Sequence, residues 1–482
     1  MNELRDILRK EAYRLEQEKK KLVESDPWRL QFHLMPPVGW MNDPNGLCQF
    51  QGKYHVFFQY TPYDAQGGLK VWGHYSSSDW IHWDYHGIPL LPDCPYDVSG
   101  VYSGSALVDD ETMYLYFTGN VKYDGDYDYI NNGREGNTVL VESKDGYTIG
   151  DKCCVLKQED YPKDYTCHIR DPKVFRYGEN YYMVLGGRKK DETGAILLYV
   201  SKDKKTWNLE KELRAEGSFG YMWECPDLFS VSGRWICAFS PQGISRESYQ
   251  FQNIYHSGYV ALDEKPFGEN EKGNFYSVPV HRFREWDMGF DFYAPQTFED
   301  ENGRRILIGW MGISDGDLEY KNPTVEKGWQ HALTLPREII WKDDILYQYP
   351  IKEVDALRGE KVIVENGKAE VEKGCFDLLL CGKETEKCQI CLAQGLIFSY
   401  DVSEISLELS KELGRGRSIR RAKTDGVKQI RILADTSAVE IYVNGGEYVF
   451  TTRYYPLEQN VSVQVDWKDA QIQMWEMNGF SW

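Results

Sequence analysis

The sequence predicts an all-β protein: a β-propeller followed by a C-terminal β-sandwich, with a short N-terminal helix. Five similar polar clusters recur along the chain, about 54 to 70 residues apart, and each precedes a short apolar run. Helical periodicity is nearly absent between residues 30 and 345. A loose repeat of this length, with several short strands in each unit, is typical of propeller blades.

Residues 1–27 are predicted to form the helix. Apolar residues recur there at helical spacing among charged ones, and the pattern stops at Asp26-Pro27. The apolar stripe comprises Leu4, Ile7, Leu8, Leu15 and Leu22. Such a stripe indicates a helix packed on the surface of a domain, and a partner-binding helix is the alternative.

The propeller is predicted over residues 28–345, and the apolar runs are predicted as the inner or middle strands of its blades. The five clusters are Asn42-Asp43-Pro44, Ser103-Gly104-Ser105, Arg170-Asp171-Pro172, Glu224-Cys225-Pro226 and Ala294-Pro295-Gln296. Blades converge on a central axis, so residues placed alike in successive blades can meet there. Asp43, Asp171 and Glu224 are therefore candidates for one carboxylate-lined pocket.

Residues 346–360 are predicted as a polar linker, and residues 361–482 as the sandwich. The strongest local signal is a hairpin, in which two alternating strands flank the turn Asn444-Gly445-Gly446. About 120 residues of short strands is the size of a β-sandwich. We expect the propeller to carry the chemistry and the sandwich to support it.

The formal net charge of −19 argues against nucleic-acid or anionic-membrane partners, which favour basic surfaces. No window approaches the roughly 18 apolar residues of a membrane-spanning helix. The charged N-terminus lacks the apolar region of a secretory signal, and the 11 cysteines are an odd number. These features predict a cytoplasmic protein with reduced thiols. Whether it is a monomer or a homodimer stays open.

Two clusters in the C-terminal region invite a binding role. Residues 415–421 contain four arginines and are predicted as a solvated loop, with an anion site as the alternative. Four cysteines suggest zinc, but only Cys388-x-x-Cys391 has familiar ligand spacing. Buried strand positions explain them better. The four are Cys375, Cys381, Cys388 and Cys391.

The composition near the polar clusters suits a carbohydrate. The chain has 34 Tyr, 20 Phe and 15 Trp, and several of these rings lie beside the clusters in sequence. Sugars stack their C–H faces on aromatic rings, and their hydroxyls bond to carboxylates and amides. A glycine-rich phosphate loop, a zinc-protease helix and a Gly-x-Ser-x-Gly elbow are all absent from the sequence.

Glycoside cleavage needs two carboxyl groups with different roles. Asp43 lies between Asn42 and Asn45, whose amides can keep it ionised as a nucleophile. Glu224 lies between Trp223 and Cys225-Pro226, an apolar setting that favours a protonated acid/base. Asp171 follows Arg170, which is expected to hold it charged for binding sugar hydroxyls. For a single Asp-Pro a plain turn is the alternative, and the repetition of the pattern argues against it.

The motifs also resemble a known family. The segment 32–46, FHLMPPVGWMNDPNG, is similar to the sucrose-binding box of glycoside hydrolase family 32, which contains invertases, fructanases and sucrose-6-phosphate hydrolases. Arg170-Asp171-Pro172 and residues 223–227 resemble its other two signatures, and residues 290–296 and 328–337 match as well. The resemblance covers residues 28–345 and continues to the hairpin near 438–456.

This resemblance implies a five-bladed propeller with a β-sandwich, and retaining hydrolysis of β-fructofuranosides. It implies that Asp43 is the nucleophile, Glu224 the acid/base and Asp171, with Arg170, the stabiliser of the transition state. It implies no metal and no cofactor. The residues that would shape the sugar pocket are Trp40, Asn42, Gln59, Trp72, Ser103, Arg170 and Trp310.

Three departures from the family pattern lie beside the pocket residues: Thr61-Pro62, Ile169 and Lys70-Val71. They leave the reaction class intact but leave open what binds beyond the fructose unit. The substrate is expected to be sucrose or sucrose 6-phosphate. The alternatives are exo-hydrolysis of short fructans, fructosyl transfer, a non-catalytic sugar-binding propeller, and an arabinan- or xylan-acting propeller.

Overall fold

The computed structural model describes residues 3–268, 274–312 and 322–482. Helix α1 (Glu3–Glu24) precedes five mainly antiparallel sheets, and two six-stranded sheets follow them. The predicted fold class, a five-bladed propeller followed by a sandwich with an N-terminal helix, is confirmed.

The first two blades are regular four-stranded meanders. Blade 1 consists of β1 (Gly39–Phe50), β2 (Lys53–Thr61), β3 (Val71–Ser77) and β4 (Trp83–Tyr85). Blade 2 consists of β5 (Val101–Asp109), β6 (Thr112–Lys122), β7 (Arg134–Ser143) and β8 (Cys153–Leu156). A 3₁₀ turn, Gln158–Asp160, leads to the next blade.

Blades 3 and 4 both receive a short edge strand from the segment that follows blade 4. Blade 3 consists of β9 (Tyr165–Tyr177), β10 (Asn180–Lys189), β11 (Gly194–Ser201) and β12 (Asn208–Arg214). Blade 4 consists of β13 (Met222–Val231), β14 (Arg234–Gln242) and β15 (Gly258–Ala261). The next segment supplies β16 (Phe275–Ser277) to the edge of blade 3, the 3₁₀ turn Val280–Arg282, and β17 (Arg284–Glu285) to the edge of blade 4.

Blade 5 closes the ring. It contains β18 (Tyr293–Glu299), β19 (Arg305–Met311), β21 (Ala332–Leu333), β22 (Arg337–Lys342) and β23 (Ile345–Pro350). Between β19 and β21, a 3₁₀ helix (Pro323–Lys327) leads to β20 (Trp329–Gln330), which pairs in parallel with β1. The last blade is therefore tied directly to the first.

Each polar cluster lies inside the innermost strand of its blade, and the apolar run that follows forms the second strand. All five innermost strands bulge at the cluster. The bulges lie between Met41 and Pro44, Val101 and Gly104, Arg170 and Lys173, Glu224 and Asp227, and Tyr293 and Gln296. A bulge bends the strand and redirects its side chains. The repeated bulge therefore explains why a loose sequence repeat marks the site.

The polar linker predicted over 346–360 contains regular structure. It begins within β23, continues through a 3₁₀ helix (Lys352–Leu357), and ends in β24 (Arg358–Lys361) of the sandwich. The other sandwich elements are β25 (Lys368–Glu372), β26 (Phe376–Cys381), β27 (Cys388–Leu392), β28 (Leu396–Tyr400), β29 (Glu404–Leu409), α2 (Lys411–Gly414), β30 (Ile419–Lys423), β31 (Gln429–Asp435), β32 (Ala438–Val443), β33 (Tyr448–Arg453), β34 (Asn460–Trp467) and β35 (Gln471–Met477). The predicted hairpin is β32–β33.

The buried face of α1 differs from the predicted stripe. Leu4, Ile7 and Leu22 are exposed, whereas the small Ala12 and the charged Glu16 are buried. The Glu16 carboxylate accepts hydrogen bonds from two tyrosine hydroxyls, those of Tyr60 (2.9 Å) and Tyr85 (2.6 Å). The predicted stripe was therefore wrong at Leu4, Ile7 and Leu22, whereas Leu8 packs against the hydrophobic core as expected. Periodicity could not reveal that the buried face includes a carboxylate, because its partners are two tyrosine hydroxyls of blade 1.

Charged groups are buried where the propeller meets the sandwich. The Arg337 guanidinium donates to Glu440 (2.6 Å) from one nitrogen and to Asp287 (3.1 Å) from another. His33 lies between Asp435 (2.8 Å) and Glu440 (3.1 Å). Since the pairs satisfy one another, they fix the orientation of the two units.

The arginine cluster at 415–421 also belongs to this interface, so its prediction as a solvated loop was wrong. Arg417 and Arg420 are buried. Arg417 pairs with Asp291 of the propeller, and Arg420 donates to Asn253 Oδ1 (2.7 Å). In the cysteine cluster, Cys388 and Cys391 are three positions apart on β27 and so point to opposite faces.

Candidate active site

A polar layer at the axis holds the innermost strands of three blades together. The Gly104 amide of blade 2 donates to Asn45 Oδ1 of blade 1 (3.0 Å), and Gln296 of blade 5 donates to the Gly104 carbonyl (2.8 Å). A Cβ at Gly104 would lie 1.9 Å from the Tyr116 carbonyl oxygen, so only glycine allows this approach. This layer fixes where Asp43 and Ser103 stand.

Asp43 is held by two side-chain donors. The Ser103 hydroxyl donates to Oδ2, and Asn42 Nδ2 donates to Oδ1 (3.1 Å). Gln59 orients both donors, because it accepts from Asn42 (2.7 Å) and donates to Ser103 (2.9 Å). Burial raises the pKa of Asp43 and the charge of Glu224 adds to this, while the two donors oppose it. The sequence argument had named Asn45 as a donor, but its amide bonds to the Asp43 backbone instead.

Glu224 lies in a polar setting and not in the apolar one predicted. Arg170 donates to its Oε1 from Nε (3.0 Å) and Nη2 (2.5 Å). Gln242 (2.5 Å) and Tyr293 (2.6 Å) donate to its Oε2. The prediction failed because Trp223, the sequence neighbour, turns away and stacks on Phe239 inside blade 4.

Asp171 occupies a strained backbone position. Its φ of 63° lies in the left-handed region, which is uncommon for a residue with a side chain. Its amide donates to Thr118 Oγ1 (2.9 Å), and its Oδ2 accepts from the Cys225 amide (2.9 Å), next to Glu224. Burial raises the pKa of Asp171, although the positive charge of Arg170 acts to lower it. Arg170, the partner expected for Asp171, forms its hydrogen bonds with Glu224 instead. The Nε atom of Arg170 lies 4.0 Å from Asp171 Oδ2.

Aromatic rings stand around these carboxylates. Trp40 donates from its indole to Asn42 Oδ1 (2.8 Å), and its ring lies 6.0 Å from that of Trp310. Trp72 is fully buried and donates to the Tyr102 carbonyl (3.0 Å), so it supports Tyr102 from behind. Lys70 Nζ lies 4.6 Å from the centroid of the Trp40 ring. Burial lowers the pKa of Lys70 to about 7, although the negative charge of Asp43 acts to raise it.

The sequence argument did not give a role to Gln242, Tyr293 or Lys70. The register of a hairpin could have identified the first, because β13 and β14 pair so that Gln242 is opposite Met222, two residues before Glu224. Tyr293 precedes the bulge of blade 5. The sequence marked Lys70 only as a departure from the family pattern, since its position over Trp40 depends on the path of the loop between β2 and β3.

Among the described residues, one group of acidic and cysteine side chains has the spacing of a metal site, namely Asp93, Cys94 and Asp97. Its carboxylates are already paired: Lys152 bonds to Asp93 (2.5 Å) and to Asp97, and Arg5 bonds to Asp93. The group therefore gives no reason to assign a metal. No helix in the described ranges has the length and apolar character needed to cross a membrane.

Comparison with known proteins agrees with this geometry. Residues 33–350 match the family model of the glycosyl hydrolases family 32 N-terminal domain, and residues 398–476 match that of the family 32 C-terminal domain. The chain belongs to glycoside hydrolase family 32. It is therefore a glycoside hydrolase of a retaining family that acts on fructosides.

Several relatives each match more than nine-tenths of the chain. The sucrose-6-phosphate hydrolase of Bacillus subtilis (strain 168) is 39% identical over 95% of each chain. The raffinose invertase of Escherichia coli is 36% identical over 91% of this chain and 92% of its own. Among solved structures, the Bombyx mori β-fructofuranosidase gives a TM-score of 0.84 at 28% identity, covering 99% of both chains. A substituted form of that enzyme was solved in complex with sucrose.

We predict that Ser103→Ala shifts the acid limb of the kcat/KM profile to higher pH. The nucleophile role that the sequence predicts for Asp43 requires its ionised form, and the Ser103 hydroxyl favours that charged form. Without this donor the pKa of Asp43 rises further, so the limb moves up by about one unit. The measurement is fructoside hydrolysis by each protein between pH 4 and 8.

The matched control is Ser105→Ala on the same strand. The Ser105 hydroxyl is also buried, but it donates to the Pro172 carbonyl (2.7 Å) and to no carboxylate. We expect its acid limb to stay where the parent enzyme has it. An unmoved limb in Ser103→Ala would contradict the assigned role of the hydroxyl.

Proposed function

We propose that this family 32 enzyme hydrolyses the fructosyl bond of sucrose or sucrose 6-phosphate, with Asp43, Glu224 and Asp171 as its catalytic residues. The observation that supports it best is the meeting of three carboxylates from blades 1, 3 and 4. Asp171 accepts from the amide next to Glu224, and the charge of Glu224 raises the pKa of both aspartates. Relatives named for sucrose 6-phosphate and for raffinose suggest the substrate class.

In the first step, a carboxylate oxygen of Asp43 attacks the anomeric carbon of the fructosyl unit. The bond to the glycosidic oxygen breaks, and this oxygen takes the proton of Glu224, so the glucosyl unit leaves as an alcohol. Ser103 and Asn42 keep Asp43 aimed and charged before the attack. The product of this step is a fructosyl ester of Asp43.

In the second step, Glu224 takes a proton from water while the water oxygen attacks the same carbon. The ester bond breaks, Asp43 regains its negative charge, and fructose leaves with its original configuration. Asp171 binds fructose hydroxyls and stabilises the positive charge that develops on the ring. Arg170, Gln242 and Tyr293 hold Glu224 in place in both steps.

We propose that the predicted sugar-binding residues form the wall of the pocket. Gln59 orients Asn42 and Ser103, while Trp40 and Trp310 offer rings to the sugar faces. Trp72 contributes by holding Tyr102. The substrate is a small carbohydrate.

We also propose that the enzyme acts in the cytoplasm. All 11 cysteines lie in the described ranges and are free thiols, and Cys153 among them is exposed. Free, accessible thiols are typical of a reducing compartment. The relatives named for a phosphorylated sugar support this as well.

A substrate panel tests the proposed function. We expect the enzyme to release fructose from sucrose or sucrose 6-phosphate with a kcat/KM at least about tenfold above its values for kestose, inulin and levan. The assay measures fructose by a coupled reaction, and chromatography at high sucrose detects trisaccharides from fructosyl transfer. Higher activity on fructans, or trisaccharides as the main product, would contradict the proposed substrate.

A further inference from the structure

An arginine beside the catalytic carboxylates has no acidic partner in the described part of the chain. Arg134, the first residue of β7, is half-buried. Its Nε donates to Asn120 Oδ1 (2.8 Å), and its guanidinium lies over the Tyr102 ring, 5.4 Å from the centroid. These two contacts fix the plane of the side chain. Both contacts involve neutral groups, and no described carboxylate lies within ion-pair distance of the guanidinium.

The terminal nitrogens of Arg134 are also unused. Its one hydrogen bond to a described residue starts from Nε, so both Nη groups have donors to spare. A partly buried cation costs free energy unless an anion pairs with it. A guanidinium fork matches the geometry of a phosphate, to which it can donate two parallel hydrogen bonds.

The surroundings of Arg134 are positively charged. Burial and the charges of Arg170, Arg134 and Arg188 lower the pKa of His168 to about 3, which means that the three guanidinium groups lie near this imidazole. His168 is neutral: its Nδ1 accepts from Arg170 (2.7 Å) and its Nε2 donates to the Tyr129 carbonyl (3.0 Å). The positive field at this place is therefore carried by the arginines alone.

The other two arginines already have carboxylate partners. Arg170 bonds to Glu224, and Arg188 pairs with Glu192 (2.5 Å) while its guanidinium lies over the Tyr221 ring (4.6 Å). Arg134 is the member of the group that forms no ion pair with a described carboxylate. It is therefore the group best placed to receive an anion from outside.

The location of Arg134 indicates which part of a substrate it faces. Two residues along β7, a Cβ at Gly136 would lie 2.5 Å from the carbonyl oxygen of Ile169, the neighbour of Arg170. Arg170 bonds to Glu224 (3.0 Å), so Arg134 lies on the Glu224 side of the pocket. In the proposed mechanism, Glu224 protonates the oxygen of the leaving glucosyl unit. The glucosyl unit therefore extends from the fructose towards this side.

We propose that Arg134 binds a phosphate group on the leaving glucosyl unit, so that the enzyme prefers sucrose 6-phosphate to sucrose. This inference rests on the proposed function and adds the residue that selects the substrate. The net charge of −19 and the three carboxylates of the pocket repel a phosphorylated sugar. An unpaired guanidinium beside Glu224 offsets that repulsion where the phosphate arrives.

The experiment compares Arg134→Gln and Arg134→Lys with the parent enzyme on both sugars. We expect Arg134→Gln to lower kcat/KM for sucrose 6-phosphate by about ten- to a hundredfold, because a charge-assisted fork is lost. For sucrose, kcat/KM stays within about threefold of the parent value. Arg134→Lys keeps the charge without the fork and gives an intermediate loss on the phosphorylated sugar.

A second readout uses a ligand without a scissile bond. Glucose 6-phosphate is tested as a competitive inhibitor of sucrose hydrolysis, with glucose as its neutral counterpart. We expect glucose 6-phosphate to inhibit the parent more strongly than glucose, and this difference to disappear in Arg134→Gln. The control Arg9→Gln removes the same charge from an exposed position on α1 and should keep the parent's preference.

The outcomes separate this inference from the proposed function. If the parent enzyme releases fructose from both sugars with equal kcat/KM, the phosphate site is refuted and the hydrolase activity stands. Equal losses on both sugars in Arg134→Gln would refute it too, because they would assign Arg134 a structural role behind Tyr102. If the parent enzyme cleaves neither sugar, the proposed function itself fails.

Discussion

Replacing Asp43 by asparagine is expected to lower kcat for sucrose hydrolysis by at least about 10⁴-fold. The amide is nearly isosteric with the carboxylate but is a very poor nucleophile, so the fructosyl ester cannot form. The substitution also disturbs the donors, because Ser103 and Asn42 both point hydrogens at Asp43. An amide has one oxygen to accept them and places its NH₂ group against the other.

The matched control for this variant is Asp84→Asn in the same blade. The Asp84 side chain is 63% exposed and pairs with Lys53 at the surface, so its loss should leave kcat unchanged. Circular dichroism and thermal unfolding establish that both variants are folded. A kcat for Asp43→Asn within about tenfold of the parent value would remove Asp43 from the nucleophile role.

The sequence predicted the architecture because blade repeats and hairpins are local features. The five clusters mark the five innermost strands, and the turn Asn444-Gly445-Gly446 joins β32 to β33 as expected. The bulges were not predicted, although they are what turns a loose repeat into a set of side chains directed at one axis. A bulge depends on the register between two strands, which one strand alone does not reveal.

The sequence picked out carboxylates that the structure brings together at the axis, but it did not predict which side chains they pair with. Adjacency in the chain suggested that Arg170 serves Asp171, and that Trp223 makes the surroundings of Glu224 apolar. Successive side chains on a strand point to opposite faces, so sequence neighbours are poor guides to contact partners. The actual partners of Glu224, which include Gln242 and Tyr293, come from other strands.

The same limitation applies to charged residues. The arginines at 415–421 resemble a solvated loop in sequence, yet Arg417 is buried against Asp291, more than a hundred residues away in the chain. Arg134 shows the opposite case, because it looks unremarkable in sequence and has no acidic partner in the described structure. Counting charges predicts which classes of partner are excluded. It cannot predict which cation is left free to bind a ligand.

Replacing Glu224 by glutamine is expected to lower kcat for sucrose by about 10³-fold. Glutamine can still accept from Arg170 and keeps the volume of the side chain, but it has no proton to give to the departing oxygen. The effect should depend on the leaving group. With a 4-nitrophenyl fructoside, nitrophenolate departs without being protonated, so the first step should proceed at close to the parent rate. The second step needs a base and should become slow.

This pattern distinguishes Glu224 from Asp43 by measurement. Pre-steady-state kinetics of Glu224→Gln on the nitrophenyl fructoside should show a burst of nitrophenol, because the fructosyl ester on Asp43 accumulates. The control Glu299→Gln removes a carboxylate from the innermost strand of blade 5, where the side chain is 59% exposed. It should behave like the parent enzyme.

Azide adds a test of the second step. In Glu224→Ala the small anion can enter beside the fructosyl ester and displace Asp43 without a base, so azide should accelerate turnover and give a fructosyl azide of the same configuration as the substrate. Asp43→Asn should show no burst, because the ester cannot form. If Glu224→Gln loses equal activity on sucrose and on the nitrophenyl fructoside without a burst, Glu224 is not the acid. Its bonds to Arg170 and Tyr293 would then serve to position those groups.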